Sequence, residues 1–403
     1  MTTKNLTLIA AVIAIFAVTS LHADRARDLG IPFPGEPGPN NAITDVAGVE
    51  VGHTTLISGE GKLVRGKGPV RTGVTAILPR GKDSTSPVFA SWFTLNASGE
   101  MTGTTWLDER GLLDGPIMIT NTHSVGVVRD AAVEWMVDKG WKALWHAPVA
   151  AETYDGAMND INGFHVKKEH ALAALASASS GAVIEGAVGG GTGMWCNGYK
   201  GGIGTASRRV EFTQGVYTIG VLVQCNYGWS TALKTIAGIP VHEIQGVDKP
   251  CYSDRNIKGQ FSEFVPYCDE EKTTSERAND GSIIIVVATD APLLPHQLHR
   301  LVKRPSLALG RLGATSSDGS GDIFIAFSTA HDGILSEDEP SKGLSMHPNN
   351  DLTKLFLGTI EATEEAIVNA LIAAETMTGA DGLRLPELPE DRLREIMQEY
   401  SSE

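Results

Sequence analysis

Clusters of basic side chains are missing from this sequence. Its 403 residues contain 33 lysines and arginines against 48 aspartates and glutamates, which gives a net charge of -15 at pH 7. Proteins that bind nucleic acids neutralise phosphate groups with clustered lysine and arginine. The sequence therefore predicts no nucleic-acid partner.

Motifs for metal-dependent and nucleotide-dependent chemistry are also missing. The 11 histidines include no His-Glu-x-x-His pattern and no pair at metal-ligand spacing. The glycine-rich stretch 189–193 lacks the Gly-Lys-Ser/Thr ending of a phosphate-binding loop. No Gly-x-Ser-x-Gly elbow surrounds Ser282, the serine discussed below. We therefore expect no metal, no cofactor and no α/β-hydrolase triad.

Cysteine is scarce, and none of the four cysteines has the paired short spacing of a zinc site. Cys251 and Cys268 enclose a polar stretch that is typical of a surface insertion. The sequence leaves open whether they form a disulfide. Cys196 and Cys225 lie in glycine-rich and strand-like segments, where buried thiols are an equal alternative.

Long apolar runs are absent except near the N-terminus, from Leu6 to Val18. Lys4 precedes this run, and small and polar residues follow it up to Ala23. The pattern is typical of a secretory signal peptide that is cleaved after Ala23. A membrane anchor is the competing interpretation, but the run is shorter than the about 20 residues that span a bilayer. We therefore expect export to the periplasm or the medium.

The chain after this leader is predicted to fold as one domain. No charged, proline-rich or serine-rich linker interrupts it. The hydrophobic content of 42% and the charged content of 20% are ordinary for a protein with a sizeable core. The 45 glycines indicate many tight turns and close backbone approaches.

Hydrophobic periodicity predicts alternating helices and strands. Helices are predicted over 127–138, 167–177 and 352–375. Apolar runs predict buried strands over 183–188, 217–224, 283–289 and 323–328. This alternation predicts mixed sheets covered by helices.

The junction between Gly281 and Ser282 is the most informative feature for chemistry. If this bond breaks, Ser282 becomes an N-terminus with a nucleophilic hydroxyl and an α-amine whose ordinary pKa is ~7.7–8.0. Nucleophile and base then share one residue. The preceding glycine allows the strained backbone that self-cleavage needs. A simple turn before a buried strand is the alternative interpretation.

Seven separate blocks of sequence favour self-cleavage. They lie at 35–46, 51–54, 121–126, 152–156, 189–194, 200–208 and 282–295. In this order they resemble the DmpA/BapA-type self-processing aminopeptidases, which include L-aminopeptidase/D-Ala-esterase/amidases and β-peptidyl aminopeptidases. The resemblance spans nearly the whole chain after the leader.

The resemblance implies a division of the chain into a signal peptide (1–23), an α polypeptide (24–281) and a β polypeptide (282–403). Both polypeptides would belong to a single catalytic domain, with the nucleophile at the start of the second. The implied fold is α/β, a four-layer αββα sandwich that is similar to N-terminal-nucleophile hydrolases with different connectivity. The resemblance also implies a homo-oligomer of such αβ units, commonly a tetramer.

The resemblance assigns roles around the nucleophile. Ser320 and Asp322 match a Ser-Gly-acid element that hydrogen-bonds to the nucleophile. Some relatives have glutamate at the position of Asp322, so the shorter side chain requires a closer backbone. Asn226 and Tyr154 match oxyanion residues, and an amide and a phenol can both donate hydrogen bonds to a developing oxyanion.

The resemblance also implies how a free amino terminus is recognised. Glu152 matches the position that binds the substrate's ammonium, and Trp145 matches an aromatic wall of the pocket. A cation beside a carboxylate and an aromatic face is a favourable arrangement. The alternative interpretation makes Trp145 a core residue and Glu152 a surface charge.

These features together predict a self-processing serine aminopeptidase that acts on small peptides, amino-acid amides or esters through an acyl-enzyme on Ser282. The sequence leaves open a preference for β-peptides, L-residues or D-residues. A self-processing acyltransferase of related fold is an alternative, although such enzymes favour a threonine nucleophile. A non-catalytic exported binding protein is the remaining alternative.

The substitution Ser282→Ala is expected to abolish self-cleavage, because the hydroxyl that would attack Gly281 is removed. The unaltered protein should give two bands on a denaturing gel, and N-terminal sequencing of the smaller fragment should begin at Ser282. The variant should give one band. Two bands from the variant, or an active protein with an unbroken chain, would contradict the mechanism.

Overall fold

A computed structural model describes residues 25–228, 232–244, 248–270, 281–331 and 343–401. The predicted leader and its cleavage site after Ala23 lie outside these ranges.

The described residues form seventeen strands and seven α-helices. The strands are β1 (Glu50–Ser58), β2 (Val70–Leu78), β3 (Val88–Ala97), β4 (Leu112–Leu113), β5 (Ile117–Asn121), β6 (Val149–Thr153), β7 (Trp195–Cys196), β8 (Tyr199–Lys200), β9 (Ile203–Phe212), β10 (Gly215–Asn226), β11 (Thr235–Ile236), β12 (Ile239–Pro240), β13 (Cys251–Tyr252), β14 (Ser282–Thr289), β15 (Gly321–Ser328), β16 (Met377–Thr378) and β17 (Leu383–Leu385). The helices are α1 (Thr104–Arg110), α2 (Val125–Asp138), α3 (Lys168–Ser177), α4 (Pro295–Leu301), α5 (Pro305–Leu312), α6 (Thr353–Ile372) and α7 (Glu390–Ser401).

Two sheets form the centre of the molecule. The larger has six strands in the order β4-β3-β15-β14-β10-β9, and the smaller has four in the order β1-β2-β5-β6. In the larger sheet β14 pairs parallel with β15 and antiparallel with β10. The strand that begins at Ser282 is therefore fully internal.

Three apolar clusters separate four layers. One contains Val128 of α2 and Leu175 of α3, packed on the outer face of the smaller sheet. A second lies between the sheets and contains Ile119 of β5 and Ile284 of β14. The third packs the opposite face of the larger sheet against α4, α5 and α6. The order is helix, sheet, sheet, helix, so the predicted αββα sandwich is confirmed.

Strand β14 shows why this sequence suits an internal position. Its side chains alternate between the two faces, so Ile283, Ile285 and Val287 join the helical side while Ile284 and Val286 join the cluster between the sheets. Both faces are buried, which explains an uninterrupted apolar run in place of alternating polarity.

Most predicted elements are confirmed within a few residues, but the strand predicted over 183–188 is wrong. That segment makes only an isolated bridge at Gly186, whose φ is +83°, and so leaves the extended conformation. Its Glu185 side chain turns inward to pair with Arg25. An apolar composition alone did not reveal these local constraints.

Both cysteine pairs that the sequence left open are joined in the structure. Cys251 is bonded to Cys268, with a Cα–Cα distance of 4.8 Å, and the bridge closes the polar insertion. Cys196 is bonded to Cys225, with a Cα–Cα distance of 5.6 Å. Within the part of the chain that the structure describes, no helix combines the length and the apolar character needed to cross a membrane.

Candidate active site

A cavity of about 560 Å³ opens where strands of both sheets begin or end. Five of the residues that the sequence singled out line it, namely Glu152, Tyr154, Asn226, Gly281 and Ser282. They come from the ends of β6, β10 and β14, so the sandwich brings together residues that are up to 130 positions apart in the chain.

Gly281 and Ser282 are joined by a peptide bond in the structure, so the site is described with Ser282 lacking a free α-amine. Ser282 is buried at the start of β14 and is level with Gly321 on one neighbouring strand and Asn226 on the other. The Gly321 N–H donates a hydrogen bond to the Gly281 carbonyl oxygen at 2.9 Å. The carbonyl that self-cleavage would attack is thus held and polarised by a strand neighbour.

Gly281 is required by close packing. A Cβ at this position would lie 2.5 Å from the Tyr227 Cα and 2.6 Å from the Asn226 carbonyl oxygen, both of them backbone atoms. Gly281 has no positive φ, so the left-handed region is not the reason for the glycine. The absence of a side chain lets the segment before the nucleophile lie directly against the end of β10.

The amide of Asn226 is fixed at both ends. Its Oδ1 accepts a hydrogen bond from the Trp195 N–H at 2.8 Å, and its Nδ2 donates one to the Tyr154 carbonyl oxygen at 3.0 Å. A side-chain amide nitrogen carries two hydrogens. One N–H beyond the Tyr154 contact therefore remains to serve an oxyanion beside Ser282.

Tyr154 lies on the rim of the cavity with 38% of its surface exposed. Gly156 makes room for its ring, since a Cβ on Gly156 would lie 2.3 Å from the phenol oxygen. The Gln260 Nε2 lies 3.3 Å from the same oxygen and donates to it. The phenol is therefore positioned by its neighbours and still reaches the cavity.

Glu152 is a buried carboxylate that faces the cavity, which corrects the alternative of a surface charge. One oxygen accepts the Glu100 N–H at 3.0 Å, and the other accepts the Thr122 hydroxyl. Burial raises its pKa, while these hydrogen bonds act in the opposite direction. A Cβ on Gly99 would lie 3.1 Å from the Glu152 Oε1 and 3.5 Å from the Gly321 Cα. The carboxylate is therefore close to the strand neighbour of Ser282.

Ser320 and Asp322 lie behind the nucleophile. The Ser320 hydroxyl donates to the Asp322 carboxylate at 2.7 Å, and burial raises the pKa of Asp322. Both face a small separate cavity of about 10 Å³ next to Tyr227, because Asp322 is level with Ile283 and not with Ser282. Among the described residues neither is hydrogen-bonded to the Ser282 hydroxyl. Their role toward the nucleophile stays a prediction for the cleaved form.

Trp145 does not line the cavity of Ser282 within one chain, which corrects the expectation of a pocket wall. Its ring packs on Trp106 at a centroid distance of 4.5 Å and lines a surface groove with Trp141 and Leu144. The residue is 56% exposed, so it is not a core residue either. The pairing with Trp106 was not visible in the sequence.

The aromatic wall of the cavity is formed by residues that the sequence analysis missed. Trp195 and Phe261 line it together with Gln260 and a second, exposed carboxylate, Glu100. The bracketing cysteines Cys251 and Cys268 were the one available signal for Gln260 and Phe261, since a closed insertion can be fixed over a site. The composition of that insertion suggested only an exposed loop.

The described side chains include no group of three or more His, Cys, Asp or Glu that could hold a metal ion. No lysine or arginine is among the described residues that line the cavity, and two carboxylates are. The site therefore favours a cationic group beside a hydroxyl nucleophile.

Residues 41–385 match Peptidase family S58. The chain belongs to peptidase family S58. A relative with the name beta-peptidyl aminopeptidase BapA, from Sphingosinicella microcystinivorans, is 56% identical over 386 residues, which cover 94% of this chain and 93% of that protein. A second beta-peptidyl aminopeptidase BapA, from Sphingosinicella xenopeptidilytica, is 45% identical and covers 97% and 95%.

The fold is also found in a solved structure. The L-aminopeptidase D-Ala-esterase/amidase from Ochrobactrum anthropi, described as a variant of the Ntn hydrolase fold, superposes with a TM-score of 0.80 at 45% identity. The match covers 94% of this chain and 99% of that one. The expected family, fold class and hydrolase function of the aminopeptidase type are confirmed.

Replacing Glu152 by Gln is expected to lower kcat/KM for substrates with a free amine by about 10- to 100-fold. Hydrogen bonds to charged groups contribute about 1.5–3 kcal/mol, and about 1.4 kcal/mol corresponds to a factor of ten. The variant should first be shown to give both fragments on a gel. Activity should then be measured on an amino-acid p-nitroanilide.

Glu100→Gln is the matched control, because Glu100 lines the same cavity but is exposed to solvent. It should change kcat/KM by no more than about twofold, as expected for a screened charge. Equal losses in the two variants would show a general electrostatic effect and would contradict a specific ammonium site at Glu152.

Proposed function

We propose that this protein cuts its own Gly281–Ser282 bond and then uses Ser282 to release N-terminal residues from small peptides and amides. The α polypeptide would be 24–281 and the β polypeptide 282–403. One observation supports this most directly. The Gly281 carbonyl is held by the Gly321 N–H immediately before a buried serine that lines a cavity with two carboxylates.

Self-cleavage would proceed through an ester. The Ser282 Oγ attacks the Gly281 carbonyl carbon, and the Gly321 N–H stabilises the negative charge on its oxygen. The bond from Gly281 to the Ser282 nitrogen breaks, and the nitrogen takes up the proton and becomes a free amine. Water then hydrolyses the ester between Gly281 and the Ser282 Oγ, which leaves the two polypeptides.

Substrate turnover would use the same hydroxyl. Its oxygen attacks the carbonyl carbon of the substrate's first residue, while the α-amine of Ser282 or the Ser320 hydroxyl takes the hydroxyl proton. The bond from that carbon to the leaving nitrogen then breaks, and the leaving amine takes up this proton. Water hydrolyses the resulting ester, which releases the first residue and restores the Ser282 hydroxyl. Asn226 and Tyr154 donate to the oxyanion. The buried carboxylate of Glu152 binds the substrate's ammonium, which an internal peptide residue does not have. This requirement makes the enzyme an exopeptidase.

A preference for β-amino acids at the substrate's N-terminus is the finer proposal. It is supported by the two relatives named beta-peptidyl aminopeptidase, which cover nearly the whole chain. The L-aminopeptidase D-Ala-esterase/amidase, at 45% identity, supports the alternative of α-amino acids. Acyl transfer remains a second outcome of the assay below.

Substrate class is tested with p-nitroanilides of β-alanine, L-alanine and D-alanine. We expect kcat/KM for β-alanine to exceed that for L-alanine by at least about tenfold, the scale on which one misplaced methylene group is discriminated. A preference for L-alanine or D-alanine would contradict the β-peptidyl assignment. Rapid formation of an adduct with an added amine acceptor, in place of the free acid, would identify a transferase.

Export remains a proposal, and the signal-peptide pattern up to Ala23 supports it. The Arg25 guanidinium donates to the Thr205 carbonyl oxygen at 2.6 Å, and the Ala26 N–H donates to the buried Asn369 side chain at 3.0 Å. Removal of a leader after Ala23 would retain both contacts. We propose that the mature protein keeps these contacts in the periplasm or outside the cell.

A homo-oligomer, which we expect to be a tetramer, is supported by the groove at Trp145. Leu144 is fully exposed beside the half-exposed Trp145, and Trp106 and Trp141 extend the apolar surface. Arg110, Asp114 and Lys142 also line the groove, and exposed apolar surface with polar residues around it marks interaction sites. We propose that another copy of the chain covers it.

Leu144→Glu is therefore expected to lower the mass measured by light scattering after size-exclusion chromatography, because a carboxylate would be buried in the contact. Leu307→Glu is the matched control, since Leu307 is also exposed but lies on α5, outside the groove. An unchanged mass for the Leu144 variant would reject this surface as the interface.

A further inference from the structure

The insertion closed by Cys251 and Cys268 is built as an ordered wall of the cavity. The Tyr252 N–H donates to the Pro266 carbonyl and the Cys268 N–H donates to the Tyr252 carbonyl, so the two ends of the insertion run side by side. Strand β13 pairs with β17, which ties the insertion to the C-terminal part of the chain. The loop is therefore anchored at both ends.

Phe261 is held at the centre of this loop. Its N–H donates at 2.9 Å to the hydroxyl of Tyr252, a residue that is only 2% exposed. Its carbonyl accepts the N–H groups of Phe264 and Val265. Gly259 lies flat on the Tyr252 ring, where a Cβ would lie 2.1 Å from a ring carbon. The backbone of Phe261 is thus fixed on both sides.

The Phe261 ring meets Trp195 across the cavity wall. The ring centroids are 6.3 Å apart and the planes cross at 88°, an edge-to-face arrangement. Ala157 lines the cavity beside them. The same cavity is lined by these apolar side chains and by the carboxylates of Glu100 and Glu152.

The loop also contacts one of the candidate oxyanion residues. Gln260, next to Phe261, donates to the Tyr154 phenol, and the Trp195 N–H donates to the Asn226 side chain. Each of the two oxyanion candidates therefore contacts a residue of this wall or its immediate neighbour. A substrate held against the wall would have its carbonyl beside both donors.

We propose that Phe261, backed by Trp195, determines specificity by packing against the apolar side chain of the substrate's N-terminal residue. The inference rests on the proposed function, in which Glu152 takes the ammonium and Ser282 the carbonyl. With those two groups fixed, the remaining hydrocarbon of that residue lies against the aromatic rings. The site then selects N-terminal residues with bulky apolar side chains over unsubstituted ones.

The test compares p-nitroanilides of β-homophenylalanine and β-alanine, which share the ammonium and the leaving group and differ in the side chain. Phe261→Ala should lower the ratio of their kcat/KM values by at least about tenfold. Phe261→Leu should restore much of the ratio, because it retains an apolar surface. Phe264→Ala is the matched control, since Phe264 lies in the same loop but does not line the cavity, and it should leave the ratio within about twofold.

An equal loss on both substrates would show that Phe261 only supports the loop, and an unchanged ratio would show that the ring does not meet the side chain. Either result overturns the proposal. The proposal is also overturned if Phe261→Ala changes kcat/KM when the leaving group on β-alanine is varied, but not when the side chain is varied. Dissociation constants of β-homophenylalaninamide and β-alaninamide on the Ser282→Ala protein, with and without Phe261→Ala, test the wall without turnover. A failure of the proposed chemistry is thereby distinguished from a failure of this inference.

Discussion

The pairing of β14 with its two neighbours is the constraint on which the site depends. Ser282 is level with Asn226 on one side and Gly321 on the other, and the rest of the strand is locked by apolar side chains on both faces. A slip of one residue would exchange the two faces of the strand and turn the serine away from the cavity. The core therefore specifies the position of the nucleophile to within one residue.

The same pairing accounts for the division of roles around Ser282. Neighbouring strands present backbone groups at one level, and this is how the Gly321 N–H reaches the Gly281 carbonyl. Adjacent side chains on a strand face opposite ways, and this is why Asp322 lies on the helical side of the sheet while Ser282 faces the cavity. Glu152 arrives from the second sheet. The carboxylate of Glu152 and the nucleophile Ser282 therefore line one cavity although they belong to different sheets and are far apart in the sequence.

Much of the fold could be predicted from the sequence, because long apolar runs and local motifs indicate buried strands and helices without knowledge of the tertiary structure. The buried strand after Gly281 and the helices α2, α3 and α6 belong to that class. Glu152, Tyr154 and Asn226 were predicted from the family resemblance, and all three line the cavity. Features that depend on tertiary packing could not be predicted. Trp145 is drawn to Trp106 in another groove, and Phe261 reaches the cavity only because a closed insertion folds over it. The polar composition of the insertion between Cys251 and Cys268 does not indicate that it packs over the cavity.

The internal position of Ser282 would determine how the protein unfolds if it is cleaved there. A cut before β14 would create a new chain end inside a six-stranded sheet, with every residue of the strand still paired. Neither fragment could depart without tearing open the shared core, and separated fragments would each lack strands that the other needs. Heat inactivation should then be irreversible. The stability of the cleaved protein would be kinetic, because it would depend on the rate of unfolding and not on an equilibrium between folded and unfolded chains.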